Sequence, residues 1–388
     1  MATPGNSRRP DVAIFLPSLA GGGAELVMLR LAVALAEQGL RTDLVLAHAS
    51  GRFLSLVPES VRLVDLAARR PVVATKTVQL ARYLRRERPP AVVSALDVVN
   101  TALIARRLAA VPTGVVLTVH THLSRQFRDK PDHGVERLRR QLVRMTYPRT
   151  DRLVAVSRGV ADDAARISGV VPSRIQVIPN PVVTDELRES ARAPVEHPFL
   201  APGEPPTILG VGRFVRQKDF PTLVRAFALV RERRPARLII LGEPDPREPG
   251  VREALVAQVE RAGLGADVSL AGFSENPYAY MARAEVLALS SIYEGLPTVL
   301  IEALAVGTPI VATDCESGPR EILDDGRLGA LVPVGDAGAL ADAILAAMDG
   351  PRNPDRLRAA AERYTAPRVA LEYRRTIAAA AARASFAS

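Results

Sequence analysis

Apolar residues occur along this chain in short blocks, and each block is followed by a longer stretch with helical spacing. The first block, 11–17 (DVAIFLP), reads as a buried strand, and 24–38 reads as the helix after it. Further strands are expected at 42–47, 61–64, 91–94, 115–120, 152–156 and 175–178. Amphipathic helices fill the gaps, notably at 76–87 and 135–145. Nearly continuous apolar strands separated by helices predict an α/β fold with a parallel sheet covered on both faces.

The rhythm stops between 184 and 206, where five prolines occur without periodicity, and a domain linker is expected there. It resumes with strands at 207–211, 237–241, 268–270, 285–289, 309–312 and 330–332. Helices are expected at 219–233, 251–262, 298–306 and 337–348. Two doubly wound, Rossmann-like domains follow, 1–183 and 207–365, facing each other across a cleft. Residues 366–388 form a closing Ala- and Arg-rich helix that can pack back on the first domain. Residues 1–10 are expected to be disordered.

At 388 residues the chain can bury two sizeable cores. Its single cysteine, Cys315, excludes an internal disulfide and fits a reducing compartment. No apolar run reaches the roughly 18 residues of a membrane span. Arg8-Arg9 ahead of 12–20 resembles a signal peptide, but Pro17 interrupts it and cleavage there would detach the first strand. A cytoplasmic location is therefore expected. Aromatic residues make up 4% of the chain, with no Trp, which argues against a nucleic-acid partner bound by stacking.

Charge is unevenly placed. Residues 1–190 hold 28 Lys and Arg against 17 Asp and Glu, whereas the remainder holds 23 against 25. Either one domain meets something anionic, or the coding bias favours arginine. Within the basic half, Val135, Leu138, Leu142 and Met145 recur at helical spacing beside arginines. Such a helix either packs its apolar stripe on the sheet or lies peripherally on an anionic membrane at its inner face.

The stretch that carries most chemistry is Ser291-Ile-Tyr-Glu-Gly-Leu-Pro-Thr-Val-Leu-Ile-Glu302. It follows an expected strand and turns into a helix, whose first N–H groups and partial positive charge suit a phosphate. Glu294 and Glu302 are placed to bind hydroxyls, as on a ribose and a sugar ring. Gly212-Arg213 through Lys218-Asp219 follows the first strand of the second domain, and its two cations could clamp a diphosphate. In the first domain, Gly21-Gly22-Gly23 lets backbone approach a ligand, Glu25 favours the helix dipole, and the strand 115–119 delivers His120 to a carboxyl edge. His122 is less well placed. No His/Cys/Asp cluster has metal-ligand spacing, so neither metal nor cofactor is expected.

The Gly-rich loop, the strand ending in His120, Ile178-Pro-Asn180-Pro181, Gly212-Arg213 with Lys218, and Glu294-Gly-Leu-Pro with Glu302 together resemble a retaining glycosyltransferase of family 4, with GT-B architecture, over essentially the whole chain. By that resemblance the site works without metal and takes a nucleotide-sugar donor, UDP-linked. Arg213 and Lys218 would hold the diphosphate, Glu302 the ribose and Glu294 the donor sugar. The turn Gly295, Leu296, Pro297, Thr298 and Val299 would complete the donor site. His120 would touch the sugar from the other domain, the Gly22 and Gly23 backbone would face the phosphates, and the loop carrying Phe273 would lie near the base. The segment 241–245 (LGEPD) departs from the family, where a second glycine is common. The stretch 314–323 is similar to a subgroup using UDP-N-acetylhexosamines to extend lipid-linked or surface glycans. Two rivals are a two-domain Rossmann oxidoreductase and a non-catalytic sugar-nucleotide-binding protein. The first needs G-x-G-x-x-G, which Gly21-Gly22-Gly23 does not supply, and the second leaves the paired acids and bases without a task.

Overall fold

The computed structural model describes residues 9–69, 72–97, 100–128 and 133–386. Residues 1–8, within the stretch expected to be disordered, lie outside them. The chain divides into two compact units: 1–181 together with 366–388, and 182–365.

Among the described residues the first unit holds seven parallel strands: β1 (Val12–Leu16), β2 (Thr42–Leu46), β3 (Val61–Asp65), β4 (Ala91–Ala95), β5 (Gly114–Val119), β6 (Arg152–Ala155) and β7 (Ile175–Val177). Their spatial order is β3-β2-β1-β4-β5-β6-β7, so the winding reverses between β1 and β4. Every residue of β1 is fully buried, because helices cover both faces, which explains the unbroken apolar run. The helix Ala366–Phe386 belongs to this unit and turns Val369, Ala370, Tyr373, Ile377 and Ala380 into the core. That spacing is one apolar helical face. Its alanines allow close approach: a Cβ added at Gly114 would fall 2.4 Å from the Ala380 carbonyl carbon.

The second unit holds β8 (Thr207–Val211), β9 (Arg237–Leu241), β10 (Val268–Gly272), β11 (Val286–Leu289), β12 (Ile310–Thr313) and β13 (Ala330–Val332), again all parallel. The order β10-β9-β8-β11-β12-β13 puts its reversal between β8 and β11. In open α/β sheets, ligands bind beyond the carboxyl ends of the strands at such a reversal.

Residues 184–206 differ from the linker expected. Thr184 accepts from the Leu187 N–H and starts the helix Asp185–Ser190, and Leu187 is buried. The Asn276 amide donates to Ser190 O at 2.8 Å, and Thr207 Oγ1 donates to Phe199 O at 2.9 Å. The prolines fix turns on the face of the second unit instead of loosening a tether. The capped helices Thr101–Ala109 and Arg158–Ser168 fill gaps where helices are expected, and the short helix Pro277–Arg283 adds to the expected set.

Candidate active site

In the second unit the expected residues converge at the β8/β11 reversal. The chain leaves β8 through Gly212 and makes one short 3-10 turn, Arg216–Lys218, before the helix Phe220–Arg233. It leaves β11 through Ser290 to Pro297 and enters the helix Thr298–Val306, which has no side-chain cap. Of its first-turn N–H groups, that of Leu300 donates to Pro297 O at 3.2 Å, and those of Thr298 and Val299 lie ahead of the first intrahelical bonds. The two loops are stitched together by Gln217, whose side-chain amide donates to Tyr293 O at 2.8 Å and whose backbone carbonyl accepts from the Ile292 N–H at 2.8 Å.

This stitching brings the Lys218 ammonium 2.6 Å from the Glu294 carboxylate, with the two side chains only 18% and 9% exposed. Ser291 donates to the same carboxylate oxygen at 2.7 Å. Glu302 is buried in the second turn of its helix. Gly295, Leu296, Pro297, Thr298 and Val299 form the wall between the two acids; Leu296 and Val299 are buried. The stretch 314–323 clasps that wall from behind. Ser317 Oγ lies 2.7 Å from Glu294 O and 3.1 Å from Gly295 O, and Gly318 leads into the short helix Pro319–Ile322. Burial, with the Glu294 carboxylate nearby, pushes the Cys315 thiol up to about 12, so it is an inert wall residue rather than a nucleophile.

Arg213, on the same edge, pairs with Asp245 at 2.5 Å and leaves its side chain 47% exposed. Phe273 follows β10, also at a carboxyl end, and is 46% exposed. Both cations expected to hold a diphosphate are thus already matched to carboxylates. Sequence reasoning did not single out Asp245; the only signal was the departure of 241–245 from the family pattern.

In the first unit, the loop after β1 is closed by Glu25. Its carboxylate accepts from the Gly21 N–H at 2.8 Å and the Gly22 N–H at 3.0 Å, while Ser18 donates to its other oxygen at 3.3 Å. The residue read as a dipole partner is therefore a clamp on the glycine loop, and the Gly22 N–H is engaged. Gly23 begins the helix Gly23–Glu37.

His120 follows β5 and its Nε2 lies 3.0 Å from Thr118 Oγ1. Its Nδ1 and the Asn180 Oδ1 are both sealed from solvent, and the Asn180 side chain lies within reach of the ring. Burial lowers the His120 pKa to about 4, against an opposing effect of Asn180, so the ring is neutral at physiological pH. His122 is buried, its Nδ1 3.9 Å from the Asp163 carboxylate. Asp163 also accepts from the Ser124 N–H at 3.0 Å and from Arg166 at 2.7 Å. That arrangement holds the loop after β5 in place.

The amphipathic helix His133–Thr146 turns Val143 inward, while Leu138 is 56% and Met145 58% exposed. Arg137, Arg140 and Arg144 are exposed around them, and Leu142 is half-buried. The Val135 side chain lies outside the described residues. Two members of the expected stripe therefore face solvent instead of the sheet. Among the described residues, no helix is long and apolar enough to cross a membrane, and no group of three or more His, Cys, Asp or Glu could hold a metal ion.

A family model described as glycosyl transferases group 1 matches residues 195–364, and one described as glycosyltransferase family 4 matches residues 21–186. The chain is 34% identical over 194 residues to the N-acetylgalactosamine-N,N'-diacetylbacillosaminyl-diphospho-undecaprenol 4-alpha-N-acetylgalactosaminyltransferase of Campylobacter jejuni, covering 50% of this chain and 49% of that protein. It thus spans about half the length of that relative. It is 26% identical over 341 residues to the GalNAc-alpha-(1->4)-GalNAc-alpha-(1->3)-diNAcBac-PP-undecaprenol alpha-1,4-N-acetyl-D-galactosaminyltransferase of the same organism, covering 85% of this chain and 86% of the relative. Among solved structures, Anabaena HepE in complex with UDP and glucose superimposes with a TM-score of 0.77 at 19% identity, over 95% of this chain and 99% of that one. That likeness concerns the fold.

Proposed function

We propose the following for this chain, which belongs to the family 4 glycosyltransferases of GT-B architecture. It transfers a hexose or N-acetylhexosamine from a UDP-linked donor to a glycan or lipid-linked acceptor, with retention at the anomeric carbon. The observation that carries this reading is the cluster at the β8/β11 reversal, where Lys218 meets Glu294 in the loop that leads into the helix carrying Glu302, a helix with no side-chain cap.

In the proposed reaction the acceptor oxygen forms a bond to the anomeric carbon as the bond to the diphosphate oxygen breaks. The acceptor proton passes to the departing diphosphate. Arg213, Lys218 and the N-terminus of Thr298–Val306 neutralise the growing charge, a task that basic side chains can perform without metal. Lys218 has three donors, so it can meet a phosphate oxygen while still bonded to Glu294. Glu302 binds the ribose hydroxyls and Glu294 those of the transferred sugar. His120, being neutral, contacts a sugar hydroxyl without adding a charge. Phe273 lies by the base, and the glycine loop by the phosphates.

The two Campylobacter jejuni relatives are named for transfer of N-acetylgalactosamine to diphospho-undecaprenol-linked glycans, which supports a lipid-linked acceptor and an N-acetylhexosamine donor here. The exposed apolar and basic side chains of His133–Thr146 support peripheral contact with an anionic membrane, from the cytoplasmic side.

A panel of nucleotide-sugars, read by release of the nucleotide and by calorimetry with UDP alone, tests the assignment. UDP binding is expected to weaken in Glu302→Ala and to survive in Glu294→Ala, which loses turnover. Equal UDP loss in both variants would sink this division of roles, and turnover abolished by a chelator would sink the metal-free step.

A further inference from the structure

The loop after β9 lies directly along the basic loop after β8. A Cβ added at Gly242 would fall 1.9 Å from Gly212 O, so only glycine permits this approach. The Gly212 N–H donates to Leu241 O at 2.9 Å, the Phe214 N–H to Glu243 O at 2.9 Å, and the Arg216 N–H to the Glu248 carboxylate at 2.9 Å. Residues 242–248 therefore act as a bed for residues 212–216.

Asp245 stands in that bed with 3% of its side chain exposed and accepts four hydrogen bonds. Its Oδ2 receives Arg213 Nη1 at 2.5 Å and Arg247 Nη2 at 2.6 Å. Its Oδ1 receives Arg247 Nε at 2.8 Å and the Arg247 N–H at 3.0 Å. A diphosphate that recruits Arg213 competes with this buried carboxylate. Stripping a buried carboxylate of its cation is strongly unfavourable, and one left with a single backbone donor would hold Arg213 back. With Arg247 in place, three of the four bonds persist after Arg213 departs.

We propose that Arg247 is a positioning residue for the donor site: by keeping Asp245 satisfied, it frees Arg213 to move from Asp245 to the donor diphosphate. Arg247 itself does not touch the donor. The inference rests on the reading of Arg213 as a diphosphate ligand, and it concerns residues of the second unit alone.

The test is calorimetry of the full chain with UDP, alongside steady-state kinetics with the donor. Arg247→Ala is expected to weaken UDP about tenfold and to raise the donor KM while kcat changes little. Arg247→Lys, which keeps charge but not the two-pronged grip, should fall between. In an Asp245→Asn background, with no buried charge left to satisfy, Arg247→Ala should have no further effect. A loss of the same size in both backgrounds would mean that Arg247 acts on the donor directly, and no loss in the otherwise unaltered chain would mean that it does not act at all; either overturns the proposal. Arg213→Ala is the control: UDP affinity unchanged in that variant would overturn the donor-site reading itself, independently of Arg247. Melting curves of each variant exclude a folding defect as the source.

Discussion

The two cations singled out in the second unit are paired with acids at the carboxyl edge of its sheet, whereas the first unit carries much of its basic excess on its surface. At the carboxyl edge of the second sheet, Lys218 meets Glu294 and Arg213 meets Asp245, each through a hydrogen-bonded pair with at least one largely buried partner. At the corresponding edge of the first sheet the ring of His120 is neutral, Glu25 is spent on the glycine loop, and Asp97, just after β4, pairs with Lys76 at 3.3 Å and accepts from Ser94 and Thr101. The first unit's basic excess sits instead on its surface, as on the helix His133–Thr146. The difference fits the two tasks proposed above: fixed, partly buried charge acts strongly on a leaving group, whereas charge in water suits contact with an anionic surface.

The sharpest break of the inward arrangement is Lys218→Met. It strands Glu294, whose side chain is 9% exposed, so stability should fall by about 3 kcal/mol, the low end for a broken buried pair. Donor turnover should fall by about a hundredfold as well, since a charged contact to the diphosphate is lost. The double variant Lys218→Met/Glu294→Gln should regain much of the stability and none of the turnover. Recovery of turnover in the double variant would contradict the role given to Lys218.

That pairing was only half legible. The block alternation fixed both parallel sheets, because strands buried on two faces must be apolar throughout, as β1 is. Glu294, Lys218 and Arg213 stood out by motif and by position after a strand. Their partners did not, for a physical reason: which carboxylate an arginine meets depends on which loops the sheet order brings side by side. Asp245 reaches Arg213 across 32 residues because β9 is hydrogen-bonded to β8. The stretch 184–206 misled because proline content marks turns equally well on a packed surface and in a tether. The solvent-facing Leu138 and Met145 were also unreadable from spacing, since the same stripe would serve a sheet or a membrane.

The outward charge is tested next. Changing Arg137, Arg139 and Arg140 together to Ala should weaken binding to anionic vesicles by about 3 kcal/mol, at about 1 kcal/mol per basic residue near such a surface. Co-sedimentation at low and high salt reads this, with neutral vesicles expected to bind weakly throughout. Absence of binding to anionic vesicles at low salt would leave a water-soluble acceptor as the better reading.

His120 gives a smaller and pH-dependent effect. Its folded pKa of about 4 lies below the ordinary histidine value, so the unfolded chain binds the proton first. Histidine therefore contributes nothing above about pH 6.5, and stability falls as the pH drops through 6.5 towards 4. Between pH 7.5 and 5 this single group should remove about 2 kcal/mol. Urea unfolding of the unaltered chain and of His120→Gln, subtracted at each pH, isolates it. A difference that stays flat over that interval would show that the imidazole is not held neutral.

The smallest expected effect falls on Glu25, the buried acid of the first unit that holds the glycine loop. Glu25→Ala frees the Gly21 and Gly22 N–H groups and should lower stability by about 1 kcal/mol, as for loss of a helix N-cap. Glu25→Gln is more informative. Its amide oxygen can accept both glycine N–H groups from the position of the oxygen that holds them now, while its NH2 donates to Ser18. The loop should keep its shape and lose only a negative charge. If the glycine loop faces the donor phosphates, that charge opposes them, and its removal should lower the donor KM by about twofold, the size of a screened charge at a helix N-terminus. Melting temperature and KM measured on the same preparations separate shape from charge. A KM that is unchanged or higher, with the melting temperature preserved, would place the glycine loop away from the phosphates and leave Glu25 a purely structural clamp.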